Sequence, residues 1–82
     1  MYLLKCADGT FYTGITTDSA RRVHEHNESV KGAKYTKARR PVVLVYEEVC
    51  ISRSEAQKKE YELRHRSHAE QQTLSDAFAT GE

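Results

Sequence analysis

Residues 2–14 read YLLKCADGTFYTG, two short runs rich in Tyr, Leu and Phe split by Ala7-Asp8-Gly9. Such runs on either side of a glycine-containing turn predict a β-hairpin, with strands near residues 1–6 and 10–15. Two registers are open. A two-residue Asp-Gly turn pairs Tyr2 with Ile15 and sends Tyr2 and Tyr12 to opposite faces. A three-residue loop, with Ala7 and Asp8 in a type I turn and Gly9 left-handed as a G1 bulge, pairs Tyr2 with Gly14 instead. Tyr2, Leu4, Thr10, Tyr12 and Gly14 then share one face, because strand side chains alternate. Gly14 would leave room beside the Tyr2 ring.

Outward from the hairpin, Asp18 is a good N-cap for a helix running to about Ser29. Arg22 and His26 are four apart on it and share a face, one turn from each other. Ala20 and Val23 supply part of an apolar stripe beside them. His24 and His26, two apart, diverge, which argues against a paired-histidine zinc site. Residues 32–40 read as a basic loop with room for one helical turn. Pro41 then introduces Val42-Val43-Leu44-Val45-Tyr46, the strongest strand signal in the chain. Two capping boxes follow, Ser52-Arg53-Ser54-Glu55 and Ser67-His68-Ala69-Glu70, each opening a helix, over 53–66 and 68–79. The order β-β-α-β-α-α predicts an α+β fold, a three-stranded, mainly antiparallel sheet flanked by helices.

A chain of 82 residues is expected to form a single domain over residues 1–82. Charged residues make up 30% and no apolar run approaches ~18 residues, so no membrane span is expected. No basic stretch leads into an apolar segment and cleavage site at the start, so no secretory signal is expected either. Cys6 and Cys50 lie far apart in sequence and suggest neither a disulfide framework nor a metal knuckle. Free thiols fit a reducing cytoplasm.

The net charge is +1, from 13 basic and 12 acidic residues, so only the distribution of charge is informative. From Lys31 to Arg40 the chain reads KGAKYTKARR, without an acid. One basic segment on a neutral domain predicts modest, salt-sensitive affinity for a polyanion; the plain alternative is a solvated loop. The helix expected over 53–66 carries an anomaly. Ala56, Glu60 and Leu63 recur at helical spacing, which puts Glu60 within the apolar stripe. Either Glu60 sits at the stripe's edge and reaches water, or it is held inward to bind a cation, since an unpaired buried carboxylate is costly.

Taken together, Tyr2, Tyr12-Thr13-Gly14, Arg21-Arg22-Val23-His24-Glu25-His26, Gly32-Ala33-Lys34-Tyr35-Thr36, Arg39-Arg40-Pro41, Ser54-Glu55-Ala56 and Glu60 resemble the GIY-YIG nuclease superfamily, in its small single-domain bacterial members. The resemblance covers roughly residues 1–66. It favours the three-residue turn, because the family's two tyrosines line one site, and it implies metal-dependent hydrolysis of nucleic-acid phosphodiesters, DNA being the expected substrate. Carried over by position, Glu60 would be the sole protein carboxylate on a divalent metal, Mg²⁺ or Mn²⁺, which retains waters and takes further oxygens from the phosphate. Arg22 would bind the scissile phosphate and offset its developing charge. Tyr2 and Tyr12 would position and deprotonate the attacking water, with His26 the other candidate base. Lys34, Lys37, Arg39 and Arg40 would hold the phosphate backbone and Tyr35 could stack on a base. Two departures stand out. Only Met1 precedes Tyr2, so the first strand is expected to be shortened or frayed, and Thr13 replaces the usual aliphatic residue of the second triplet.

Two other functions compete with a nuclease of little sequence preference. One is a nucleic-acid-binding module that keeps the fold but cleaves poorly; the other is a protein-interaction domain whose basic loop docks on an acidic partner.

Overall fold

The first hairpin takes the register that pairs Tyr2 with Gly14 and Leu4 with Tyr12, joining β1 (Tyr2–Lys5) to β2 (Phe11–Gly14). A computed structural model describes residues 1–28 and 32–80. The turn closes with the Gly9 amide donating to Cys6 O at 3.0 Å, and Gly9 has φ of 86°, the left-handed value that suits glycine. Asp8 locks the loop by accepting from the Thr10 amide at 3.1 Å and from its hydroxyl at 2.6 Å. These bonds, with Arg39 nearby, hold the Asp8 carboxyl below its ordinary range.

The third strand, β3 (Val43–Glu47), pairs antiparallel with β1, giving the sheet order β2-β1-β3. β1 is therefore central, and Tyr2, Leu3 and Leu4 are buried. The fraying expected at its start does not occur. Met1 O accepts from the Glu48 amide at 2.8 Å and the Met1 nitrogen donates to Glu48 O at 3.1 Å, extending the pairing past Tyr2. A register shift between Leu3 and Leu4 lets both keep their faces against β3.

Helices cover both faces. On one, Tyr2, Leu4, Cys6 and Val42 form a core against Tyr12, Leu44 and Val23, the last on α1 (Ser19–Glu28). Asp18 caps that helix as expected, accepting from the Arg21 amide at 3.1 Å. Ala20 does not join the expected stripe; it is exposed, and Val23 alone of the pair reaches the core. Ser29 and Lys31 lie outside the described residues. A single helical turn, α2 (Lys34–Lys37), occupies the basic segment and makes the order β-β-α-α-β-α-α. Asn27 ties α1 to the third strand by donating to Val42 O at 3.0 Å and accepting from its amide at 2.7 Å. With the Val42 backbone so engaged, β3 begins one residue later than the sequence suggests.

On the opposite face lie α3 (Arg53–Arg64) and α4 (His68–Ala79). Lys5 donates to Gln72 at 3.1 Å, Phe11 packs on His68, and Tyr46 meets Phe78 edge-on. The Ser67–Glu70 capping box forms completely. The first box forms by half: Ser52 accepts from the Glu55 amide, but Glu55 turns to the Ile51 amide. The result is the expected α+β sheet flanked by helices. Both cysteines are free, and among the described residues no helix is long and apolar enough to cross a membrane.

Candidate active site

α1 delivers Arg22 and His26 to the Tyr2 face of the sheet. His26 is 0% exposed. Its Nε2 lies 3.0 Å from the Tyr2 hydroxyl and its Nδ1 lies 2.7 Å from Thr36 Oγ1. Thr36 has one hydroxyl proton and directs it to Ala33 O at 2.9 Å. We assign the tautomer from that network: Nδ1–H donates to Thr36, and Tyr2 donates to Nε2. In this tautomer Nδ1 carries its proton and cannot accept, so the Ala33 amide 3.4 Å away makes only a close approach to it. Burial pushes the imidazole down to about 4, and the positive charge of Arg22 adds to the shift; Glu25 opposes it and Arg40 contributes a smaller push. The ring is therefore neutral at pH 7.

Both tyrosines of the hairpin reach this imidazole. The Tyr12 ring stands edge-on to it at 5.2 Å, and the Tyr2 ring is tilted against it at 6.0 Å. Gly14 is what lets Tyr2 lie flat across the strand, since a Cβ there would stand 2.5 Å from Tyr2 Cζ. Burial raises the Tyr2 phenol above its ordinary value, while a hydrogen bond from Arg22 works against the shift. The Arg22 guanidinium also pairs with Glu25 at 3.0 Å, one turn along α1.

Glu60 reaches the same neighbourhood from the other side. Alternation along β2 turns Thr13 away from Tyr12 and Gly14, toward α3. There the Thr13 hydroxyl donates to Glu60 Oε2 at 2.5 Å, with Arg64 Nε 3.8 Å from the same oxygen. The Glu60 side chain is 17% exposed, so it turns inward rather than standing free at the stripe's edge. Because β2 is the edge strand, residues from both faces meet around it. Tyr12, Thr13, Tyr35, Glu60, Arg64 and Arg66 line one groove of about 590 Å³. Tyr2 borders a second cavity, of about 840 Å³, near Ser19 and Glu47. Tyr12 is the side chain shared by the His26 cluster and the Glu60 groove.

The basic segment divides. Lys34 and Lys37 are exposed. Arg39 is bound into the hairpin by Asp8 at 3.0 Å and lies 3.9 Å over the Tyr35 ring. Tyr35 also stacks on Tyr12 at 6.0 Å, so a base arriving at this ring meets one already flanked. Arg40 donates to His26 O at 2.5 Å and to Glu25 O at 3.5 Å, satisfying carbonyls near the end of α1. Thr13, Thr36, Arg64 and Arg66 are groove or cluster residues to which the sequence alone assigned no part in the site. Arg64 could have been found by its i+4 spacing from Glu60. Thr36 has no such signal, because it lies ten residues from His26 and on a different helix.

A sheet of this topology, with two tyrosines, an arginine and a histidine on one face and a helix carboxylate at its edge, defines a GIY-YIG domain. The GIY-YIG catalytic domain family matches residues 1–73, and the chain belongs to that family. The match runs further into α4 than the sequence motifs reach. Among its relatives, a UPF0213 protein of Desulfotalea psychrophila is 56% identical over 81 residues, covering 99% of this chain and 74% of that one. One from Halobacterium salinarum is 49% identical over 74 residues, covering 90% and 95%. The solution NMR structure of a UPF0213 protein from Bacillus halodurans superimposes with a TM-score of 0.55 at 45% identity, over 93% of this chain and 80% of that one.

Proposed function

We propose that this protein is a divalent-metal-dependent endonuclease that hydrolyses nucleic-acid phosphodiester bonds, DNA in the first instance, with little sequence preference. The observation that carries this reading is the position of Tyr12, between the Tyr2–His26 pair and the groove that holds Glu60. Free thiols at Cys6 and Cys50 support a cytoplasmic setting.

The donor set fits a hard cation. Among the described residues no group of three or more His, Cys, Asp or Glu side chains could hold a metal. Glu60 would hold Mg²⁺ or Mn²⁺ as a single carboxylate, leaving the remaining positions to water and phosphate oxygens. Once bound, the cation would polarise the phosphate and offset the charge that builds on it.

Arg22 binds the phosphate and trades part of its pairing with Glu25 for it. The Tyr2 proton points inward to His26 and Arg22 donates to the phenol oxygen, so one lone pair is left to accept from an attacking water. His26, sealed from solvent, acts on the reaction through Tyr2 rather than on water itself. Tyr12 supplies the second phenol that orients the water. Lys34 and Lys37 hold the backbone on the α2 side and Arg64 and Arg66 on the α3 side, with Arg39 and Tyr35 beside them.

The test is cleavage of end-labelled single-stranded, duplex and branched DNA at low salt with Mg²⁺, Mn²⁺ or EDTA, with Glu60→Ala run in parallel. Cutting that needs metal and vanishes in the variant is the expected result. Retention of DNA without cutting makes the domain a binding module. Neither, with the fold intact, turns attention to a protein partner.

A further inference from the structure

Thr13 sits where the resemblance places an aliphatic residue, and its side chain has work that no aliphatic could do. Its β-branched side chain is stiff at χ1 on an edge strand, which fixes the hydroxyl in space. Glu60 has a longer and looser side chain. The bond between them, 2.5 Å from Oγ1 to Oε2, is a hydroxyl donating to a carboxylate, the short and strong kind. Arg64 Nε approaches that same oxygen at 3.8 Å. Both neighbours thus gather on Oε2, and among the described residues Oε1 takes no hydrogen bond or ion pair.

We propose that Thr13 is a positioning residue for Glu60: its hydroxyl anchors Oε2 against the back of β2 so that Oε1 is presented to the groove as the cation's ligand. The inference rests on the metal-dependent reading above and deepens it. In this role Thr13 acts through Glu60, by the hydroxyl that holds Oε2. Partners that orient a metal ligand from behind commonly change affinity by about 10–100-fold when removed.

The experiment is a Mn²⁺ titration of the substrate-free protein by electron paramagnetic resonance, beside thermal melting, for the wild type, Thr13→Val, Thr13→Ser and Glu60→Ala. Valine keeps the branched shape and suits a strand, and serine keeps the hydroxyl. Thr13→Val is expected to weaken Mn²⁺ binding about tenfold. Thr13→Ser is expected to restore most of that affinity, and Glu60→Ala to abolish it. Wild-type affinity in Thr13→Val overturns the proposal while leaving Glu60 as the ligand. Equal weakening in both Thr13 variants overturns it too, by assigning the effect to packing of α3 on β2. Mn²⁺ binding that survives in Glu60→Ala removes both this inference and the metal assignment beneath it.

Discussion

The Tyr2 hydroxyl lies 3.0 Å from Nε2 of the buried His26, while its ring borders the cavity near Ser19 and Glu47. Thr36 occupies the other ring nitrogen at 2.7 Å, so the imidazole is held at both ends and has no outlet to water. Charging it would place a second N–H where Tyr2 already donates.

That arrangement sets a pH dependence. Burial and the nearby Arg22 lower His26 to about 4, against about 6.5 in an unfolded chain. Between those values the unfolded state binds more protons, so stability rises with pH across the window. The contribution is complete above about 6.5 and is lost as pH falls toward 4, amounting to about 3 kcal/mol. Denaturant midpoints measured at several pH values from 7.5 down to 4.5 should fall accordingly. His26→Gln should flatten the curve over that range; an unaltered slope would contradict the assignment.

Gly14→Ala should damage both fold and cleavage. The new Cβ would meet Tyr2 Cζ at 2.5 Å and Cε2 at 2.9 Å, so the phenol must move away from His26. Overpacking of this kind costs about 1–3 kcal/mol. Gly9→Ala is the control: it has open space around it but a φ of 86°, so it should cost about 1–2 kcal/mol and leave turnover intact. Melting curves and cleavage rates for the two variants separate the effects.

Arg64→Ala with Arg66→Ala should weaken nucleic-acid binding alike across unrelated sequences. Each lost phosphate contact should reduce the steepness of log affinity against log salt by about 0.7 on a single strand and about 0.9 on duplex DNA. Lys37→Ala should behave the same way from the α2 side. Arg39 is a poorer probe, because its pairing with Asp8 also holds the hairpin loop. Loss confined to one sequence would mean base reading instead of backbone contact.

Much of the fold was legible in the order of residues because the deciding forces there are local. Asp18 and Ser67 announce helix starts through bonds to amides three residues on, and Val43 to Tyr46 announce a strand through their branched and aromatic side chains. Even the groups at the candidate site could be picked out, since Arg22 and His26 stand one helical turn apart. Local rules could not choose between two hairpin registers, and they made Tyr2 look frayed. The central place of β1, pinned by the Met1–Glu48 bonds, reverses that expectation. Nor could spacing say where Glu60 points, since the answer lies in Thr13, on a strand 47 residues away in the chain. His26 illustrates the same division: its position on α1 follows from sequence, but its burial and its neutral ring follow from Tyr2 and Thr36, which only the folded chain brings to its two nitrogens. Bonds within a turn of helix or a tight loop can be read from neighbours, whereas the direction of a side chain depends on partners that arrive from distant segments.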